Sequence, residues 1–469
     1  MTPFGWGSVA RLGVVQACLG AIVVLTTSTL NRVMVVELAL PALLPGLLVA
    51  LHYAVQIARP RMGHGSDVGG RRTPWIVGGM AVLALGGVLS ALATVWMASE
   101  RPAGLALAVL GFSLVGLGVS ASGTSLLVLL AKRVPEGRRG GAATLVWMMM
   151  IAGFAITAGL AGHFLDPYSP QRLLGVTATV SLLAFVITLV AVRGLEGKGS
   201  EASAQAETTT PLKPSFREAL AQVWDEPVAR RFTIFVFVSM LAYSAQDLIL
   251  EPFAGAVHGN TPGASTQLAG VQHGGVLLGM LMVALAGGAA VRFPSHPLLS
   301  RVGSLRAWTV GGCIASAVAL FGLMLAGLRG AGWPLKLNVF LLGVANGAFS
   351  IGAIGSMMRL AREGGPARAG IRMGLWGAAL ALAFGIGGLV GTGASDIAHH
   401  LLAMPGSAYA TVFGLEGVIF LVSAVLAWRI SRPTQSPASR SFHMSTAAQY
   451  PRSPQPSTPL GVANHLRQA

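Results

Sequence analysis

Charge is what this sequence has least of. Asp, Glu, Lys and Arg make up 10% of its 469 residues, against about 25% in soluble domains. That scarcity excludes a soluble globular fold, and a mean hydropathy of +0.68 points the same way. Cysteine is nearly absent. Cys18 and Cys313 both lie in apolar runs, so neither a disulfide framework nor a Cys-x-x-Cys site is available. Acids number 16 against 32 bases, for a net charge of +16. The basic links lack the interleaved aromatics that stack bases, so nucleic acid is excluded as a partner. There is no P-loop, no G-x-S-x-G and no acid–base dyad at mid-membrane helical spacing. The chain is therefore read as not an enzyme. His399 and His400, expected in an outer link, are adjacent and point apart, so no directly bound metal is expected. The first ten residues hold no Lys or Arg, and the first apolar run is read as a retained span rather than a cleaved signal.

What is present is one apolar run after another. They cover residues 11–31, 41–58, 74–97, 103–131, 141–164 and 172–192, then 231–251, 267–291, 305–327, 334–360, 368–392 and 409–430. Each is about long enough to cross a bilayer as a helix. All but five of the 32 basic residues fall in segments on one side; the exceptions are Arg32, Arg101, Arg172, Arg329 and Lys336. That bias places both termini in the cytoplasm. The expected organisation is a six-helix bundle over 1–192, a polar cytoplasmic linker over 193–230, a second six-helix bundle over 231–430 and a Pro- and Ser-rich disordered tail over 431–469. The halves read as weak repeats: Arg139, Gly141 and Trp147 before and in span 5 match Arg368, Gly370 and Trp376 at span 11. Parallel six-helix repeats are the mark of the major facilitator architecture, an all-α integral membrane fold of 12 transmembrane helices.

The link between spans 2 and 3, "GHGSDVGGRR", places Gly63, Asp67, Gly70, Arg71 and Arg72 in the pattern G-x-x-x-D-x-x-G-R-R. Glycine permits the tight turn. Asp67 can accept from a helix N-terminus or pair with a guanidinium. Two readings stand: a latch that holds one conformation, or residues that only fix topology. Charge inside the spans is confined to a few places. Asn31, Arg32 and Glu37 cluster at the outer end of span 1, and Gln246, Asp247 and Glu251 at the outer end of span 7. Spans 1 and 7 are repeat equivalents, so Arg32 is expected to meet Asp247 or Glu251 and close the outer side; the plain alternative is helix-end charges reaching into the headgroups. Glu416, inside span 12, is read either as a proton-coupling group or as a residue paired with its neighbours, with pairing or a protein contact the preferred reading. Most of the 62 glycines are read as packing.

"STLNRVMVVELALPALLPGLLVALHY" (Ser28–Tyr53), "RRTPWIVGGMAVLALGG" (Arg71–Gly87) and "AYSAQDLILEPFAG" (Ala242–Gly255) closely resemble the bacteriochlorophyll delivery branch of the facilitator superfamily, which contains the light-harvesting assembly proteins of purple phototrophic bacteria. The resemblance covers roughly residues 10–430 and rests on N-R-V-M-x-V-E-L and Q-D-x-x-L-E-P. It implies a multi-pass protein of a bacterial inner membrane, with no intrinsic cofactor and bacteriochlorophyll, or a late precursor, as cargo. Light-harvesting polypeptides or pigment-synthesis enzymes are the implied partners, with the lipid bilayer around them. In that light His52, read as mid-span in span 2, becomes a candidate axial ligand of a chlorin magnesium, with Gln56 one turn on to donate to a ring carbonyl. His273, in span 8 with glycine neighbours, is the second candidate; the plain reading of either is a hydrogen bond to a facing helix. The alternatives are a proton-coupled transporter of a small solute and a pigment-free chaperone for antenna polypeptides.

Overall fold

In hydrocarbon a backbone can bond only to itself, and the computed structural model realises every apolar run as helix. It describes residues 4–56, 71–196, 224–293, 295–297, 303–363 and 366–430, and all their regular structure is helical. In the first half these are α1 (Trp6–Glu37), α2 (Leu43–Val55), α3 (Thr73–Trp96), α4 (Arg101–Arg133), α5 (Glu136–Leu165) and α6 (Pro170–Val192). In the second they are α7 (Pro227–His258), α8 (Pro262–Arg292), α9 (Leu305–Arg329), α10 (Leu335–Glu363), α11 (Pro366–Leu401) and α12 (Pro405–Ile430). Eleven are long and apolar enough to cross a membrane. The described part of α2 has 13 residues, because the expected span 41–58 runs into residues outside the described set. Gly63, Asp67 and Gly70, the middle of the expected linker and the tail from Ser431 also lie outside it.

Local sequence explains the starts. Proline stands in the first turn of α3, α4, α6, α7 and α8, where its missing N–H costs nothing. Ser169, Thr261 and Ser304 cap α6, α8 and α9 through their side-chain oxygens. Three expectations shift. α7 runs through Pro252 to His258 instead of stopping at 251. α11 extends to Leu401, so His399 and His400 sit in its last turn rather than in a link. Both ends of the expected linker 193–230 belong to the folded part: Glu196 is buried and α7 begins at Pro227.

Helix pairing repeats with a shift of six. α1 packs on α5 and α6, as α7 does on α11 and α12; α3 packs on α4 and α6, as α9 does on α10 and α12; α2 meets α4 as α8 meets α10. The halves then join along two equivalent seams, α2 with α11 and α5 with α8. Glycine permits the closest approaches: a Cβ at Gly279 or Gly347 would strike the backbone of the facing helix in the α8–α10 pair. The sequence repeat is looser than the helix repeat, since Trp376 is buried while its counterpart Trp147 is exposed. Odd-numbered helices begin on the entry face, where the chain starts, and end on the distal face.

Candidate functional site

The residues singled out in α1 and α7 meet at the distal end of the junction between the halves. α1 is not a regular α-helix there. Two π-helical stretches, Leu25–Thr29 and Val33–Glu37, bracket Asn31 and Arg32; such insertions recur at functional sites. Ser28 Oγ donates to Glu251 Oε1 at 2.5 Å, and Asn31 Nδ2 donates to the Leu248 carbonyl at 2.7 Å. Thr266 of α8 bonds Thr29 at 3.1 Å and reaches Glu251 Oε2 at 3.4 Å. Arg32, 2% exposed, pairs with Glu37 at 2.5 Å and donates to the Asn260 carbonyl at 2.7 Å. The expected pairing of Arg32 with Asp247 or Glu251 is thus not the one formed. Glu251 is held instead by hydroxyls, and the guanidinium passes α7 at Gly255, where a Cβ would stand 2.8 Å from Arg32 Nη2. Asp247 accepts from Gln272 at 3.2 Å, with Gln246 fully buried beside it.

Two carboxylates that sequence reasoning missed complete this distal layer. Asp396, near the end of α11, accepts from the backbone N–H groups of Ala42 and Leu43, at 2.8 and 2.7 Å. Asp166, just after α5, accepts from Thr261 Oγ1 at 2.8 Å and from the Gly263 N–H at 3.3 Å. Each belongs to one half and caps the start of a helix of the other, α2 or α8. An acid at a helix N-terminus meets both unpaired N–H groups and the positive end of the dipole. The two caps are repeat equivalents, one per seam. No local signal could have found them, because each partner is a helix start far away in sequence.

Below this layer the seams turn apolar. Ile151 of α5 packs with Val276 and Met280 of α8 and Ile351 of α10. Tyr53 of α2 stacks on Phe384 of α11 at 5.5 Å, which in turn meets Tyr243 of α7 at 5.9 Å. His52 lies in the last turn of the described part of α2, not mid-span; it is 1% exposed, with Nε2 at 2.9 Å from Gln56 Nε2. His273 bonds the Ala269 carbonyl at 2.8 Å and sets its ring edge against Phe154 across the α5–α8 seam, at 5.0 Å. The two histidines therefore stand on helices of different halves, α2 and α8, with His52 beside Gln56 of its own helix and His273 between its own helix and α5. Glu416, 3% exposed, lacks the expected pairing: neither oxygen has a hydrogen-bond partner among the described residues.

On the entry face Arg72 is the N-cap residue of α3, buried, with Arg71 exposed beside it. The carboxylate the described residues bring to that helix start is Glu196. Its oxygens accept from the N–H of Arg72 at 2.8 Å and from the N–H and hydroxyl of Thr73, each at 2.8 Å. Burial pushes the Glu196 carboxyl up, but these hydrogen bonds and the Arg72 charge together outweigh it and hold it below the usual range.

Comparison with known proteins adds the family. Residues 29–435 match the family described as PUCC protein. The "Bacteriochlorophyll synthase 44.5 kDa chain" of Rhodobacter capsulatus is 51% identical over 90% of this chain and 95% of its own length. "Protein PucC" of Rhodobacter capsulatus is 28% identical, over 89% of this chain and 90% of its own. Among solved structures, a bacterial homologue of the human drug peptide transporters PepT1 and PepT2 matches with a TM-score of 0.64 at 15% identity, over 90% of this chain and 97% of that one. A D-xylose-proton symporter matches at 0.63 and 14%, over 92% and 98%. At those identities the likeness establishes the fold alone: that of the major facilitator transporters.

Proposed function

The chain belongs to the PUCC protein family, and from that premise we propose that it is a non-enzymatic carrier or assembly factor of a bacterial inner membrane. It binds bacteriochlorophyll or a late precursor and passes it to light-harvesting or photosynthetic complexes. The observation that carries this reading is the 51% identity, over nearly the full length of both chains, to a protein named for bacteriochlorophyll. The geometry supports it in two ways. The two motifs most specific to the resemblance are bonded to each other through Asn31 and Leu248, and Ser28, three residues before the first motif, bonds Glu251 of the second, so they form one working part rather than separate decorations. The seams beneath them are lined by aliphatic and aromatic side chains, which suit a lipophilic macrocycle better than a hydrophilic solute that must exchange water for protein hydrogen bonds. The transporter fold favours a binding and release cycle over catalysis.

His52 is the proposed axial ligand of the chlorin magnesium. Gln56 must then turn away from Nε2, with its amide directed to a ring carbonyl. His52→Leu is expected to lower chlorin retention by the purified chain; unchanged retention removes the assignment. The second reading, proton-coupled transport of a small solute, is favoured by one observation, the unpartnered Glu416. An intramembrane carboxyl without partners marks a functional site by default. Deleting the chain from a pigment-making cell separates carrier from synthase. A carrier leaves pigment synthesis running while assembled pigment–protein complexes fall. Loss of the pigment itself, with precursors accumulating, contradicts the proposal.

A further inference from the structure

The start of α11 departs from its repeat counterpart in α5. Trp376 is 1% exposed, whereas Trp147 is exposed. Arg372, four residues before Trp376, stands where the first half has Ala143, four before Trp147. One turn apart, Arg372 and Trp376 share a face of α11, about 6 Å along its axis. Both line a small cavity at the entry end of the second half. Val228 and Ala229, in the first turn of α7, and Leu360, in the last turn of α10, complete it. It encloses about 150 Å³, or about 400 Å³ with its mouth included. Val228 is exposed, so the mouth lies at the surface, at the level of the helix ends, where a bilayer carries its interfacial layer. Arg372 braces this corner. Its Nη1 donates to the Leu360 carbonyl at 2.6 Å, and its Nη2 pairs with Glu226, the N-cap residue of α7.

What this corner lacks is an acceptor. Arg372 Nε and Trp376 Nε1 are buried N–H donors, and neither has a hydrogen-bond partner among the described residues. Buried donors left unpaired are costly and rare, and a buried indole N–H usually finds a partner. The other described lining residues, Val228, Ala229 and Leu360, present aliphatic side chains. A water that accepted from either donor would still have two hydrogens to place, with no side-chain acceptor among the described lining residues. A group that only accepts suits a lining that only donates. Charge narrows the choice further. Glu226 already offsets the guanidinium, so an added anion would stand unbalanced in a poorly hydrated corner. A neutral carbonyl on an aliphatic body meets every condition. Two such carbonyls on adjacent carbons, as in a diacylglycerol, can reach donors one helical turn apart.

We propose that this cavity of α7, α10 and α11 binds the glycerol ester region of a diacyl lipid, with one ester carbonyl on Trp376 Nε1, the other on Arg372 Nε, and the acyl chains leaving by the mouth. The inference makes no use of the pigment reading or of His52. The full chain, with its nine tryptophans labelled with ¹⁵N at the indole, is placed in nanodiscs of dioleoyl phosphatidylcholine or of its ether-linked analogue, which has the same headgroup and no ester carbonyl. The resonance that vanishes in Trp376→Phe identifies the Trp376 N–H; Trp147→Phe identifies its exposed counterpart. The Trp376 resonance is expected downfield in the ester lipid relative to the ether lipid, with Trp147 unmoved. Native mass spectrometry of the chain in a mixture of both lipids should show one ester lipid retained about fivefold or more over the ether lipid, the ratio of one hydrogen bond. That preference should weaken in Arg372→Lys, which keeps the charge and loses Nε, and in Trp376→Phe, which keeps the ring against Phe232. If either variant fails to fold, the ester–ether comparison in the wild type still decides. Equal Trp376 resonances and equal retention in the two lipids assign the cavity to water and overturn the inference. A Trp376 resonance that moves saturably with sodium acetate at constant ionic strength, and not with the ester lipid, assigns the donors to an anion and overturns it as well.

Discussion

The paired distal caps make a quantitative prediction about conformation. Asp396 accepts from two successive N–H groups at the start of α2. Asp396→Asn keeps one acceptor and removes the charge. A charge at a helix N-terminus is worth about 0.3–1 kcal/mol when exposed and up to about 2 when partly buried, and the lost second hydrogen bond adds about 1 kcal/mol. The distal-closed arrangement should lose about 1.5–3 kcal/mol, a shift of about 10- to 150-fold in the opening equilibrium. A distal-open minority of about one in a hundred would then rise to at least about one in ten. Asp166→Asn acts on the other seam, shares no partner with Asp396, and its effect should add. Spin labels on Ser99→Cys and Ala331→Cys, exposed positions in the distal links of the two halves, report the opening in a background with Cys18 and Cys313 replaced by Ala. Pulsed electron–electron distance measurements should show a longer component that grows from wild type to single to double variant. A folded double variant with an unchanged distance distribution refutes the role of the two caps in holding the distal ends of the halves together.

Other consequences are simpler to test. Gly255→Val drives a side chain into the Arg32 guanidinium; it should break the bond to Asn260 and cost about 1–3 kcal/mol, seen as a lower melting temperature in detergent. Glu196 has a carboxyl held below its usual range, so its contribution is fully present above the unfolded value of about 4.3 and is lost as pH falls through the lower folded value. The wild type should lose stability across that acid window by a margin that Glu196→Gln does not show, and parallel pH profiles would contradict the role of the cap.

The helices were legible because the bilayer admits few alternatives: length and hydropathy alone placed all twelve, most ends to within a few residues. Ends went wrong where a packing partner extends the helix. α11 continues past its apolar run because Ser395, Asp396 and His399 find partners there, in Tyr409 and in the start of α2. The clusters in α1 and α7 were legible as a meeting place, since repeat equivalence puts them opposite each other. Their partners were not: a π-helical α1 turns Ser28 and Asn31 toward α7, and no periodicity of the sequence announces that register. Asp166, Asp396 and Glu196 escaped notice because they cap helices 97, 354 and 124 residues away. Glu196 looked like linker because its neighbours in sequence are polar, while its neighbours in space are a helix start in need of an acceptor.

The central claim, that this chain holds a chlorin, is tested most directly by the absorption spectrum and pigment-to-protein ratio of the full chain extracted in mild detergent from pigment-making membranes. The account predicts chlorin bands that co-elute with the protein near one pigment per chain. A colourless protein that remains folded contradicts it.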